Sequence, residues 1–248
     1  MSSFSNVIDV VNLGRTGYEA CWGLQQRLLE QRLTGDVGDL LLLTEHDHVY
    51  TIGKNGGDDH LLANKAELSS KAIPVYHNDR GGDITYHGPG QLVGYPILDL
   101  TGYYLDLHRY LRDLEEVVIR TLASYGVAGT RDPGYTGVWV GSEKICAIGV
   151  KTSRWVTMHG FAFNLNTDLS YFQQIIPCGI RGRGVTSLSR LLCRNIEMRE
   201  VAERLVADFG LVFGREIREG CLQDLEVLTR SNRPAPSTVP EGQRDVVI

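Results

Sequence analysis

Five cysteines, no excess of basic charge and no extended apolar run mark this 248-residue chain, and each shortage removes a class of protein. Cys21, Cys146, Cys178, Cys193 and Cys221 are odd in number and contain no C-x-x-C pair. Neither a disulfide framework nor a thiolate zinc site is built that way, and a reducing cytoplasm suits them better than a secreted setting. No stretch reaches the ~20 consecutive apolar residues of a membrane span. The first six residues, Met1 to Asn6, lack the basic and apolar segments of a secretory signal. A formal charge of −5 provides no basic face for neutralising phosphates, which argues against a nucleic-acid partner. The expectation is a soluble, cytoplasmic protein without a metal site.

Glycine is what the chain has in excess. The 28 glycines are about 11% of residues against roughly 7% on average, and they cluster. A hydrophobic content of 42% and a charged content of 22% are globular proportions, and roughly 150 residues per domain allows one large domain or two small ones. Val7 to Val11 reads as a β-branched strand, and Tyr18 to Leu33 as a helix stopped by Gly35. Strands are expected at Leu40 to Thr44 and Val49 to Ile52, a short helix at Leu61 to Leu68, then strands near Ile73 to Tyr76, Asp83 to Tyr86 and Leu92 to Leu98. The stripe Leu107, Tyr110, Leu111, Leu114, Val117, Val118, Thr121, Leu122 predicts the longest helix, Leu105 to Tyr125. Strand-rich sequence follows at Gly137 to Val140, Lys144 to Lys151 and Val156 to Asn164, and a last helix at Met198 to Phe209. Irregular alternation of these elements predicts one α/β (α+β) domain over residues 1–230, a mixed β-sheet flanked by helices. Pro234, Pro236 and Pro240 fall in a tail, 231–248, expected to be disordered.

Four segments carry residue types that chemistry needs. In Asp79-Arg80-Gly81-Gly82-Asp83-Ile84-Thr85-Tyr86-His87-Gly88-Pro89-Gly90-Gln91, glycine lets backbone come close to a ligand. Neither nucleotide-binding glycine fingerprint is met, and a pair of tight turns would use the same residues. Pro177-Cys178-Gly179-Ile180-Arg181-Gly182-Arg183 sets one thiol among glycines and arginines, ahead of a helix capped by Thr186 or Ser187. Cations and free backbone N–H groups there would favour a thiolate nucleophile. Cys21 and Cys146 fall on apolar stripes and read as packing. Lys144 and Lys151 bracket one apolar strand; either could pair with a thiolate, and position alone does not choose. Alternation over Met158 to Asn164 sets His159, Phe161 and Phe163 against Gly160, Ala162 and Asn164. The small residues would floor an apolar slot or pack against a helix. His46-Asp47-His48 is not read as a metal site, because neighbouring strand residues point to opposite faces.

Together these segments resemble the octanoyltransferase family, the lipoyl-synthesis enzymes also called lipoate-protein ligase B. The resemblance rests on Arg80-Gly81-Gly82 with Thr85 to Gln91, Lys144-Ile145 with Ala147-Ile148-Gly149, His159-Gly160-Phe161-Ala162 with Asn164, and Pro177-Cys178-Gly179. Looser matches lie at Gly14-Arg15 and over Glu45 to Gly53, and His46-Asp47-His48 departs from the family's usual proline. The resemblance implies the fold of biotin and lipoate protein ligases and no cofactor. It implies transfer of an octanoyl group from octanoyl-acyl carrier protein, through a thioester on Cys178, to a lysine of the lipoyl domains of 2-oxoacid dehydrogenases or of the glycine-cleavage H protein. It makes Lys144 the partner of that thiol. It makes Arg80, Gly81, Gly82, Asp83, Ile84, Thr85, Tyr86, His87, Ala147, Ile148, Gly149, Gly160, Phe161 and Ala162 contacts of the acyl chain. Thioester exchange is nearly isoenergetic and aminolysis is downhill, so such an enzyme needs positioning and proton transfer but no ATP. An ATP-dependent ligase of that fold would have no use for Pro177-Cys178-Gly179, and an inactive binding module would have none for Cys178 and Lys144 together.

Overall fold

The computed structural model describes residues 6–176, 183–221 and 246–247. In chain order, β1 (Val7–Thr16), α1 (Tyr18–Thr34), β2 (Asp39–His46), β3 (Val49–Ile52), α2 (Lys65–Ser70), β4 (Val75–His77), β5 (Ile84–His87) and β6 (Gln91–Ile97) make up the first half. The longest helix, α3 (Leu107–Ser124), is followed by β7 (Thr130–Arg131), β8 (Val138–Val140), β9 (Glu143–Ser153) and β10 (Val156–Asn164). After it come β11 (Gly184–Val185), α4 (Leu188–Leu192), α5 (Met198–Phe213), β12 (Glu216–Glu219) and β13 (Val246–Val247). The main sheet runs β12-β1-β2-β6-β10-β9-β8-β7, with β11 and β13 also on β9; β4-β3-β5 form a second, smaller sheet. Both β12 and β2 lie parallel to β1, and the pairs from β2 through β6, β10, β9 and β8 to β7 are antiparallel. The mixed α/β architecture agrees with the sequence reading.

Leu40-Leu41-Leu42-Leu43 shows why the sheet is covered on both sides. Successive strand residues point to opposite faces, and a strand that is apolar throughout needs a cover on each. Leu41 and Leu43 enter a core with Phe161, Phe163, Leu114, Val118, Leu205 and Phe209, under α3 and α5. Leu40 and Leu42 enter another with Val93, Tyr95, Met158, Ala162, Cys21 and Leu28, under α1. The small sheet has its own core of Tyr50, Ile52, Ile84, Tyr86, Phe172 and Ile175.

Local chemistry sets the helix ends. Gly35 takes the left-handed conformation (φ 81°) that stops α1. The Asp106 carboxylate accepts the Arg109 N–H at 3.0 Å, so α3 starts at Leu107 and not at Leu105. The helix expected at Leu61 to Leu68 is displaced. Asn64 and Glu67 form a reciprocal cap that starts α2 at Lys65, while Leu61 bridges Ile175 and the Leu62 N–H donates to Gln174 O at 2.8 Å. Strand β12 was not legible, because Glu216-Ile217-Arg218-Glu219 is mostly charged; its Arg218 pairs with Asp9 of β1 at 2.5 Å. Residues 231–245 and 248 of the expected tail lie outside the described residues. Val246 and Val247 pair with Thr152 and Lys151 of β9, an order that the proline content did not signal. Among the described residues no helix is long and apolar enough to cross a membrane.

Leu114 is 0% exposed between α3, α5 and the sheet. Leu114→Ala should therefore lower unfolding free energy by about 2–5 kcal/mol, read as a reduced urea midpoint with an unchanged slope.

Candidate active site

A cavity of about 460 Å³ lies between β6, β9 and β10 of the main sheet, the 80–87 segment of the small sheet and Tyr18 at the start of α1. The loop from Asp79 to Asp83 forms one of its walls, and hydrogen bonds fasten it on both sides. The Arg80 guanidinium donates to Thr51 O at 2.7 Å and to Gly81 O at 2.9 Å, while the Lys54 N–H donates to Arg80 O at 3.0 Å. On the other side the Gly81 N–H donates to Val150 O of β9 at 2.9 Å. Gly149 of β9 lies directly below: a Cβ there would come 2.7 Å from Gly81 O. A Cβ on Gly160 would come 2.2 Å from Gly94 O. Both glycines line the cavity, but what forbids a side chain at each is adjoining backbone rather than a ligand.

Lys144, the second residue of β9, sits opposite Trp139 of β8 and beside Val185 of β11. That register places its Nζ 4.8 Å over the Trp139 ring and 3.2 Å from Thr136 O, to which it donates. Thr136 is held in turn by its neighbour, since the Gly137 N–H donates to the buried Glu115 carboxylate at 2.9 Å. Arg183 also stacks on Trp139, at 5.0 Å, and is ion-paired with Asp132. Lys151 goes elsewhere: its Nζ donates to Asp79 at 2.8 Å, outside the cavity lining.

The imidazoles on and behind the inner wall are buried, and burial favours their neutral form. His159 takes a left-handed backbone (φ 58°), its N–H bonded to Gln25 of α1 at 3.0 Å and its Nε2 2.9 Å from Asp79. Burial would raise the Asp79 carboxyl, but the hydrogen bonds from His159 and Lys151 outweigh it and hold the group well below the ordinary range. Burial pushes His87 down to about 3, helped by nearby His46, and lowers His46 and His159 as well. His87 Nδ1 lies 2.8 Å from Gln91 Oε1, and His46 Nε2 2.8 Å from the Tyr95 hydroxyl. His48 turns the other way, 2.7 Å from the Tyr86 hydroxyl and stacked on Tyr171.

Of the residues expected to touch the acyl chain, Arg80, Gly82, Asp83, Ile84, Thr85, His87, Ala147, Ile148, Gly149, Gly160, Phe161 and Ala162 line the cavity, as does Lys144. Tyr86 does not. It stacks 4.8 Å from Tyr171 in the aromatic core beneath the small sheet. Gly81 is turned to β9 and is also absent from the lining. Cys178 and Arg181 lie outside the described residues. Burial raises the Cys21 thiol to about 12 and pushes Cys146 higher still, which disfavours a thiolate at either. The sequence reading passed over Tyr18, His60, Tyr95, Tyr135 and Thr136, all on the cavity wall. Tyr135 and Thr136 stand between Gly134 and Gly137, a signal the reading did not use, and the lone sign at His60 is the acidic pair Asp58-Asp59 before it.

A sheet covered on both faces, with a glycine-fastened cavity at its antiparallel half, is the architecture of a known catalytic domain. A profile of the lipoyl protein ligase A/B catalytic domain matches residues 17–210, and the chain belongs to that family. The particular relatives it is similar to are octanoyltransferases. That of Rubrobacter xylanophilus is 54% identical over 210 residues, covering 84% of this chain and 94% of the relative. That of Chloroflexus aurantiacus is 51% identical over 214 residues, covering 85% and 96%. Among solved structures, lipoate-protein ligase A bound with ATP has a TM-score of 0.72 at 18% identity, over 90% of this chain and 92% of that one. At that identity the likeness speaks for the fold alone.

The buried histidines make stability acid-sensitive well above the carboxylate range. An unfolded histidine titrates near ~6.5, whereas His87 in the folded protein stays neutral down to about 3. Between those values the unfolded chain holds the extra proton, so stability is full above pH ~6.5 and is lost as pH falls, by up to ~1.4 kcal/mol per pH unit for one such group. His87→Gln should lose about 1 kcal/mol less than wild type between pH 6 and pH 5, measured by urea unfolding. Equal acid slopes for the two proteins would refute the assignment.

Proposed function

We propose that the protein is an octanoyltransferase of lipoate biosynthesis, loading an octanoyl group from octanoyl-acyl carrier protein onto Cys178 and passing it to a lysine of a lipoyl domain or H protein. Its four described cysteines are unpaired, which suits a cytoplasmic enzyme. The observation that carries the reading is where the chain enters and leaves the segment with Cys178. Ile176 donates its N–H to His60 O at 2.8 Å, and Val185 runs parallel to Lys144, with the Thr186 N–H on Lys144 O at 3.0 Å. His60, Lys144 and Val185 all line the cavity, so the described chain on either side of residues 177–182 runs beside it.

The Cys178 thiolate, paired with the Lys144 ammonium, attacks the donor thioester. The C–S bond to the carrier breaks, and the departing thiolate takes a proton from Lys144. Lys144 is then neutral, and it accepts a proton from the acceptor amine as that amine attacks the Cys178 thioester. Departure of Cys178 as thiolate restores the starting pair. Ile84, Val93, Ile148, Phe161, Ala162 and Phe172 give the cavity apolar walls for the acyl chain.

Incubation with octanoyl-acyl carrier protein and no ATP should add one octanoyl mass to the protein, removable by hydroxylamine, and Cys178→Ser should gain none. Lys144→Arg should load partially yet transfer roughly 10²- to 10⁴-fold more slowly, because arginine does not release its proton. Equal loss in both steps would remove Lys144 from the role of base. Ala162→Leu should penalise octanoyl transfer more than butanoyl transfer, by roughly fourfold for each methylene displaced at ~0.8 kcal/mol. Equal penalties would mean that Ala162 does not wall the chain.

A further inference from the structure

The reaction proposed above leaves one proton without an acceptor. An acceptor lysine arrives as an ammonium, with an ordinary pKa near ~10.4, and loses two protons in becoming an amide. Lys144 takes one of them as Cys178 departs. The other requires a neutral group on the cavity wall with access to water.

His60 is placed on the wall to take it. Its Nδ1 lies 2.5 Å from Asp83 Oδ2, and Asp83 Oδ1 is fixed by the Ile84 N–H at 2.6 Å. A carboxylate that accepts the Nδ1 proton leaves Nε2 as the basic nitrogen, and no hydrogen bond to Nε2 is made among the described residues. Both residues line the cavity, and the His60 side chain keeps 27% of its surface exposed, which gives a captured proton a way out. The His60 carbonyl holds Ile176, two residues before Cys178 in the chain. Among the described residues the charged and titratable groups around it are few. Asp58 and Asp59 share its turn, with Asp58 engaged by His77 at 2.7 Å. Asp83 faces it, and Arg80, Lys144 and His159 stand elsewhere on the wall. Residues 169–176, paired with the turn, bring no charged group, and Tyr171 is stacked on Tyr86.

We propose that His60, oriented by Asp83, is a further catalytic residue: the base that converts the incoming lysine ammonium to the amine. One N–H proton of the ammonium passes to His60 Nε2. The freed nitrogen lone pair attacks the thioester carbon, the C–S bond breaks with its electron pair going to Cys178 Sγ, and the second proton goes to Lys144. The His60 imidazolium then discharges to water, which accounts for the one proton released in the net reaction. The proposal rests on the Cys178 and Lys144 reading.

The test is single-turnover transfer from octanoyl-loaded protein, its loading verified by intact mass, to a lipoyl domain between pH 6.5 and 10. His60→Gln should load within about twofold of wild type but transfer roughly 10²-fold more slowly at pH 7. The gap should close toward pH 10, where the acceptor amine is already free. Hydroxylamine, uncharged at neutral pH, should discharge both thioesters at the same rate. His60→Ala should regain transfer when imidazole is added. A loaded His60→Gln enzyme that transfers at the wild-type rate at pH 7 overturns the proposal alone. So does a deficit that is independent of pH and extends to hydroxylamine, or a His60→Ala enzyme that imidazole does not help. Absence of a thioester on the wild type defeats the dyad reading and this proposal with it.

Discussion

The cavity depends on one contact, the passage of the Arg80-Gly81-Gly82 backbone across the middle of β9. Gly81 is hydrogen-bonded to Val150, and Gly149 offers no Cβ to hold the loop away. The same loop is tied to β3 through the Arg80 guanidinium on Thr51. A single segment thereby joins the small sheet to the main one and leaves an apolar space between them. Arg80 lines that space, yet two of its guanidinium nitrogens already serve backbone carbonyls. Its first duty is to hold the wall in place.

The polar groups around the space divide by depth. At the inner end His87 and His159 on the wall, with His46 behind them, are buried and driven toward the neutral form. Behind that wall the Asp79 carboxylate is compensated by Lys151 and His159. Toward the β8 and β11 side stands Lys144, its ammonium resting on Trp139 and on the Thr136 carbonyl. Glu115 anchors that carbonyl's neighbour from beneath, itself met by Arg112 and Arg131. An aromatic face and a carbonyl thus hold this cation in position, and among the described residues it forms no ion pair with a carboxylate.

Two lysines illustrate how far sequence reasoning reaches. Lys144 and Lys151 occupy equivalent places at the ends of one apolar strand, and no local property separates them. Only the pairing of β9 with β8 and β11 at one end, and the approach of Asp79 at the other, gives them different surroundings. His159 is similar. Alternation assigned it the face of Phe161 and Phe163, but a left-handed backbone at φ 58° carries its ring to Asp79 instead. Periodicity assumes regular strand geometry, and it fails where tertiary contacts bend the strand.

Elements whose cause is local were readable from the residues alone: the Leu40 to Leu43 strand from its unbroken apolar run, α3 from its stripe, and the α1 terminus from Gly35. The glycine clusters likewise announced close backbone approach, because that demand is written into the residue type. Tertiary structure decided the rest. It turned Tyr86 into the aromatic core while its neighbours Thr85 and His87 face the cavity, since only the small sheet's own packing sets that alternation. It brought β12 to β1 from across the chain, supported by an ion pair that no local pattern encodes. It joined His60 to Asp83 over 23 positions of sequence. Such pairings depend on distance in space, and the order of residues along the chain carries no record of it.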